Sequence, residues 1–161
     1  MSEQDAANQD APKNDLPKKY EPGRAMKAAN SVMRVLARAG LIPKTSVLSV
    51  RGRKSGELRS MPVTPIEVGG SVWLVSPYGT VAWVHNVRAA GEVTLARGRT
   101  TRRFATREAD AVEAGPVLKR YVAVAPLVLP YFTAKPDDPV EAFAAEADRH
   151  PVFELAMLDE A

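Results

Sequence analysis

The chain has 161 residues, 45% of them hydrophobic, and its 22 Lys and Arg against 19 Asp and Glu give a formal charge of +3. That length suits one domain able to bury roughly two-thirds of its unfolded surface, and no apolar run approaches the roughly 20 residues needed to cross a bilayer. Cysteine is absent, which excludes disulfides, thiolate catalysis and cysteine-ligated metals.

Residues 1–21 are polar and proline-bearing with no apolar h-region, so they read as a disordered leader and not a secretory signal. This predicts a cytoplasmic protein whose single domain runs over 22–161. "GRAMKAANSVMRVLARAGLIP" then spaces Met26, Ala29, Val32, Met33, Leu36 and Ala39 at three and four residues, the pattern of an amphipathic helix laid on a sheet. Its polar face carries Arg24, Lys27, Arg34 and Arg38, so peripheral contact with an anionic membrane surface is a second reading of it.

From residue 45 the period becomes two. "TSVLSVRG" and "LRSMPVTPIEV" read as strands, with Pro62 and Pro65 marking an edge, a bulge or an end. Gly69 and Gly70 before "SVWLVSP" form a hairpin signal. "VAWVHNVRAAG" is a short helix stopped by Gly91, and "EVTLARGRTTRRFATRE" a hairpin turning at 97–100. "ADAVEAGPVLKRYVAVA" is helical with Pro116 in its early part, and "PLVLPYF" an apolar loop. "DDPVEAFAAEADRH" is a helix capped by Asp137 or Asp138 with Pro139 in its first turn, and "PVFELAML" a last strand. Three strands, a helix, two strands, two helices and a strand, linked by tight turns, predict an antiparallel sheet of about six strands in an α+β split β-barrel with flanking helices. Such turns are too short for the crossover helices of a parallel sheet.

The segment "GRKSGELRSMPV" concentrates the positive charge. It is not a phosphate-binding P-loop, because Arg53 stands where that motif needs glycine and a strand follows where it needs a helix. Gly52 and Gly56 free the backbone for N–H groups to converge, and Lys54, Ser55 and Arg59 add donors suited to a phosphate or carboxylate; a solvated turn that blunts edge pairing is the competing reading. The arginines at 97, 99, 102 and 103 face both sides of their hairpin and read as solvated charge. His85 and His150 lie far apart, with no HExxH and no pair of acids at ligand spacing near either, so they read as ordinary helix or strand-edge histidines, and no metal site is expected.

"GRKSGELRSMPV", "VSPYG" and "AWVHNVRAAGEVTL", in this order and spacing, resemble the deazaflavin-dependent nitroreductase family. The likeness covers 46 to about 107 well and continues loosely to "RHPVFEL". It implies a split barrel of the kind that also binds FMN, here holding coenzyme F420, a 5-deazaflavin whose tail carries a phosphate and several glutamates. By that likeness Arg53, Lys54, Ser55, Gly56, Arg59 and Ser60 would cradle the tail, and Met61 and Pro62 would lie along the ring. Ser76, Pro77, Tyr78 and Gly79 would approach the ring edge, and Ala82, Trp83 and Asn86 would come from the short helix. Read from the residues alone, Trp83 is a core aromatic.

The resemblance implies an F420H2-dependent reductase, transferring a hydride from the reduced deazaflavin to an electrophilic enone, quinone or nitroaromatic. The cofactor carries the chemistry and the protein orients two planar molecules, so no nucleophile is required; Tyr78, Tyr121 and Tyr131 are the candidate hydroxyls for proton donation or substrate positioning. The chain departs from the family at Pro77 and Tyr78, where a lysine is common, at Val84, where an aromatic is common, and in a longer 121–150 region. An FMN-dependent barrel and a non-catalytic cofactor or lipid carrier are the alternatives. Nucleic acid is not an expected partner, because aromatics do not interleave with the basic hairpins; homodimers are frequent among such barrels.

Overall fold

The computed structural model describes Arg34 and residues 44–159. The expected leader, the end of the chain and, apart from Arg34, the helix expected over 23–43 lie outside the described residues.

Seven strands form one antiparallel sheet: β1 (Ser46–Arg51), β2 (Leu58–Val63), β3 (Ile66–Val68), β4 (Ser71–Val75), β5 (Glu92–Arg97), β6 (Thr100–Glu108) and β7 (Val152–Met157), in the order β2-β1-β5-β6-β7-β4-β3. The strand expected over 58–68 is divided by Thr64 and Pro65, which accounts for seven strands where about six were expected. The division has a topological reason. β2 and β3 are the two edges of the sheet yet neighbours in the chain, so Val63 and Ile66 lie within the roughly 11 Å that three Cα steps span. The sheet must therefore curl until its edges nearly meet, as a split barrel does. Pro62, paired with Val47, sits on the edge strand β2, where a missing donor is tolerated.

Both two-residue turns follow their glycines. Gly69 and Gly70 have φ of 62° and 80° between the paired Val68 and Ser71, and Gly98, at φ 58°, turns β5 into β6.

Helix α1 (Ala82–Ala90) packs Trp83, Val84 and Val87 against Leu48, Leu74, Val93, Phe104 and Phe153, filling one side of the curled sheet. It ends at Gly91, whose φ of 70° lets its N–H reach the Val87 carbonyl. Helices α2 (Ala111–Val124) and α3 (Val140–Ala144) and a 3₁₀ turn (Pro126–Tyr131) build a second core with Trp73, Val75 and Val152. The period of two does this sorting: Leu74 and Phe153 face the first core, and Trp73, Val75 and Val152 face the second.

Two expectations are corrected. "PLVLPY" is a 3₁₀ turn, since Val128 and Phe132 N–H groups reach the Ala125 and Leu129 carbonyls. Neither Asp137 nor Asp138 caps α3: Pro139 holds the cap position, and the Asp138 carboxylate instead accepts from the Lys135 N–H at 2.8 Å. Helix α2 carries a capping box, with Asp110 accepting from the Glu113 N–H at 2.8 Å. Its Pro116 removes only a bond to the Val112 carbonyl, and Val112 is exposed.

Gly115 is where α2 and α3 approach. A Cβ there would stand 2.9 Å from Val140 Cγ1 and 3.1 Å from the Val140 carbonyl oxygen. Overpacking of about 1–3 kcal/mol should outweigh the helix-propensity gain of about 1 kcal/mol. Gly115→Ala is therefore expected to lower stability in chemical denaturation, and by less in a Val140→Ala background. A more stable single variant would contradict this packing.

Candidate functional site

The turn between β1 and β2 is built from its glycines outward. The Gly52 N–H donates to the Glu57 carbonyl at 2.7 Å, and the Gly52 carbonyl accepts from the Gly56 N–H at 2.9 Å. A Cβ at Gly52 would meet the Glu57 carbonyl at 3.1 Å and the Ser55 hydroxyl at 3.3 Å, and Gly56 has a φ of 72°, so both positions favour glycine. Arg51 donates across the turn to the Gly56 carbonyl at 2.7 Å, and the Ser55 hydroxyl accepts from the Glu57 N–H at 3.2 Å.

Asn86 fastens this turn to α1. Its side chain is only 5% exposed, and Oδ1 accepts from the Arg53 N–H at 3.2 Å and from Arg53 Nη1 at 2.9 Å. Arg53 is thus oriented with the rest of its guanidinium available. Lys54 forms no ion pair or hydrogen bond among the described residues. Arg59 stands 3.7 Å from Glu57, both exposed, a pair weak enough for an incoming anion to displace.

A cavity of about 560 Å³ opens between the turn and α1, within the range of small-molecule and cofactor sites. Of the expected residues, Arg53, Lys54, Ser55, Arg59, Ser60, Met61, Ala82, Trp83 and Asn86 line it. Trp83 is 9% exposed and lies against Phe153 at 6.0 Å between ring centroids, so it belongs to both core and cavity. Gly56, Pro62, Ser76, Pro77, Tyr78 and Gly79 do not line this cavity. Ser76 is fully buried and its hydroxyl donates to the Gly79 carbonyl at 2.5 Å, closing the turn that precedes α1. The arginines at 99, 102 and 103 line a separate groove of about 490 Å³; there Arg103 pairs with Glu92 and Arg102 reaches the Met157 sulfur.

The candidate hydroxyls are gathered elsewhere. Tyr78 and Tyr131 meet edge to face, 4.8 Å between centroids. Tyr121 is buried, and that burial, with Tyr78 as a further cause, pushes its pKa up to about 12; a hydroxyl of this kind stays neutral and donates hydrogen bonds.

Two features are absent from the sequence reading. Arg34 lines the cavity and donates to the Ser60 carbonyl at 3.4 Å, although its spacing gave only a helix face. His150 and Glu146 are 3% and 2% exposed. Their four-residue separation was the available signal, but α3 itself ends at Ala144, so a continued helix was not the frame that pairs them.

Curled antiparallel sheet, plugging helix and edge-to-edge crossing together define a split β-barrel. Among solved structures the chain is similar to a domain-swapped dimer (21% identity, covering 83% of this chain and 100% of that one, TM-score 0.54). It is also similar to an F420-H2 dependent reductase, FDR-A (24%, 71% and 95%, TM-score 0.52), and to a Listeria innocua protein provisionally described as a pyridoxamine 5′-phosphate oxidase (11%, 79% and 93%, TM-score 0.51). No curated protein matches. The model of the F420H(2)-dependent quinone reductase family matches residues 24–135, and the chain belongs to that family. It is therefore an F420-dependent oxidoreductase.

Removing the Asn86 acceptor should free the turn. Asn86→Ala is expected to speed amide hydrogen exchange at 53–56 by at least about tenfold and to leave 69–70 unchanged, since a hydrogen bond to a charged group contributes about 1.5–3 kcal/mol. Equal exchange in both proteins would show that Asn86 does not hold the turn.

Proposed function

We propose that the cavity between the 52–57 turn and α1 holds coenzyme F420 and that the substrate reduced there is a quinone. The observation that carries this reading is the convergence of four cations, Arg34, Arg53, Lys54 and Arg59, on a cavity whose other wall is Met61, Ala82 and Trp83. The donor set fits the cofactor: a polyanionic tail needs several cations, and a planar ring needs an apolar wall. FMN, with one phosphate, would leave most of the cations without a partner.

In this reading Lys54 and Arg59 bind tail oxyanions, while Arg53, held by Asn86, presents its remaining N–H groups in a fixed direction. Trp83, backed by Phe153, keeps water from the ring face. Reduced F420 would supply a hydride when bound, and reduction of a quinone to its hydroquinone then needs one proton, drawn from solvent. Tyr78, Tyr121 and Tyr131 stand outside this cavity, around the turn that precedes α1; in this reading the quinone extends past the cavity to them, and Tyr121, neutral across the physiological range, acts by donating a hydrogen bond and not by releasing its proton. The family description supports a quinone as the electron acceptor; enones and nitroaromatics share its electrophilic character and are the next substrates to test.

Fluorescence titration with F420 and, separately, FMN tests the site. F420 is expected to bind more tightly and to weaken with added salt. Lys54→Ala and Arg59→Ala should each weaken it about tenfold or more, from the loss of one charge-assisted bond of about 1.5–3 kcal/mol. Unchanged affinity in both variants would remove the turn from the cofactor site. Tyr121→Phe should raise KM for a soluble naphthoquinone severalfold with F420 affinity unchanged; an unchanged KM would assign Tyr121 to packing alone.

A further inference from the structure

His150 occupies an unusual place. Its ring stacks on Phe132, 3.8 Å between centroids and 16° between planes. Nδ1 lies 2.9 Å from the Pro77 carbonyl oxygen, which only accepts, so Nδ1 carries the hydrogen. Nε2 is buried, has no hydrogen-bond partner among the described residues, and faces Glu146 Oε1 at 3.5 Å. Glu146 is itself fixed: its oxygens accept from the Thr133 and Ala134 N–H groups at 2.8 and 2.6 Å, and Arg149 lies 3.2 Å away. In the neutral ring, then, a lone pair at Nε2 points at a carboxylate, and one added proton turns that contact into a hydrogen-bonded ion pair.

What His150 grips leads directly to the site. Pro77 lies in the 76–79 turn, whose Gly79 carbonyl accepts from the Ser76 hydroxyl at 2.5 Å and from the Val81 N–H at 3.0 Å. Val81 is the residue on which α1 starts, and α1 brings Ala82, Trp83 and Asn86 to the cavity. The same turn carries Tyr78 into contact with Tyr131.

We propose that His150, held between Glu146 and Phe132, is a proton-responsive positioning residue for the reductase site, acting through the Pro77 carbonyl on the 76–79 turn. The proposal rests on the reading of that site given above, but its core is a property of the free protein. The charged groups facing the ring are Glu146 and Arg149 of its own segment; the turn contributes the Pro77 carbonyl and the 132–134 segment the Phe132 ring. Burial is the largest influence and draws the His150 pKa below the ordinary histidine value, with Glu146 opposing it. Between that lowered value and the unfolded value of 6.5 the unfolded chain binds more protons, so stability is full above this window and falls as pH falls through it.

The test uses the full chain without cofactor and the variants His150→Asn, which keeps an N–H donor near Nδ1 but cannot titrate, and His150→Phe, which keeps the stack and loses both nitrogens. By NMR, the Tyr78, Gly79 and Val81 amide shifts should titrate together with the His150 ring below pH 6.5 and stop doing so in His150→Asn. With reduced F420 and a soluble naphthoquinone, His150→Phe should raise quinone KM about tenfold with F420 affinity changed less than about twofold, and His150→Asn should stay within about threefold of the parent at pH 7 while losing its pH dependence between 5 and 7. Amide shifts that ignore the ring's titration overturn the proposal, as does a parent-like pH profile in His150→Asn. If His150→Phe does not fold, the NMR and the His150→Asn profile still decide. Failure of F420 to bind the parent protein, with the amide coupling intact, would instead count against the function assigned to the site.

Discussion

One acceptor atom, Oδ1 of Asn86, joins the two halves of the site. By taking both the backbone N–H and the guanidinium of Arg53, it fixes the height of a six-residue turn that strand pairing alone would leave unrestrained beyond Arg51 and Leu58. The helix it belongs to is in turn immobilised, because Trp83, Val84 and Val87 are locked into the sheet's apolar interior. A loop that must present charge to a ligand is expensive to order residue by residue. Hanging it on a helix that is already buried transfers rigidity from the core to the surface through one side chain.

The curl of the sheet gives that helix its place. Because β2 and β3 are adjacent in sequence and opposite in the sheet, the crossing at Thr64 and Pro65 makes the barrel, and α1 fills its interior where a ring of side chains would otherwise have to. The same curl gives β4 and β7 two buried faces, so Trp73 and Leu74 both lie in cores although they point oppositely. The second core carries α2, α3 and the 3₁₀ turn, and through Tyr121 and Tyr131 it brings hydroxyls to the turn ahead of α1.

Most of the sheet was legible in the sequence because its signals are local. Gly69–Gly70, the stop at Gly91 and the alternation in "SVWLV" each depend on a few neighbouring residues, and each appears where expected. The α3 cap failed for a local reason as well: Lys135 N–H competes for Asp138 and wins. The concentration of charge in the turn was legible, and of the fifteen residues expected at the cofactor site, turn included, nine line one cavity. Arg34 and His150 were not, since their partners, the Ser60 carbonyl and the Pro77 carbonyl, are backbone atoms 26 and 73 residues away. Backbone carbonyls carry no side-chain signature, so no pattern of residue types could have announced those contacts.

The distribution of buried polarity points the same way. Among the described residues the buried polar and charged side chains are Ser76, Asn86, Glu146 and His150, and every one of them bears on α1 or the turn before it. Ser76 closes that turn, His150 grips it from outside, Glu146 holds His150, and Asn86 passes the helix's position on to Arg53. Apolar packing would have been the easier way to stabilise these positions, since burying a polar group is unfavourable unless it is fully hydrogen-bonded. Directional bonds do what packing cannot: they fix where a carbonyl and a guanidinium point. Brought to bear on α1 and the turn before it, the described buried polar groups set the directions of the Pro77 and Gly79 carbonyls and of the Arg53 guanidinium around a single helix.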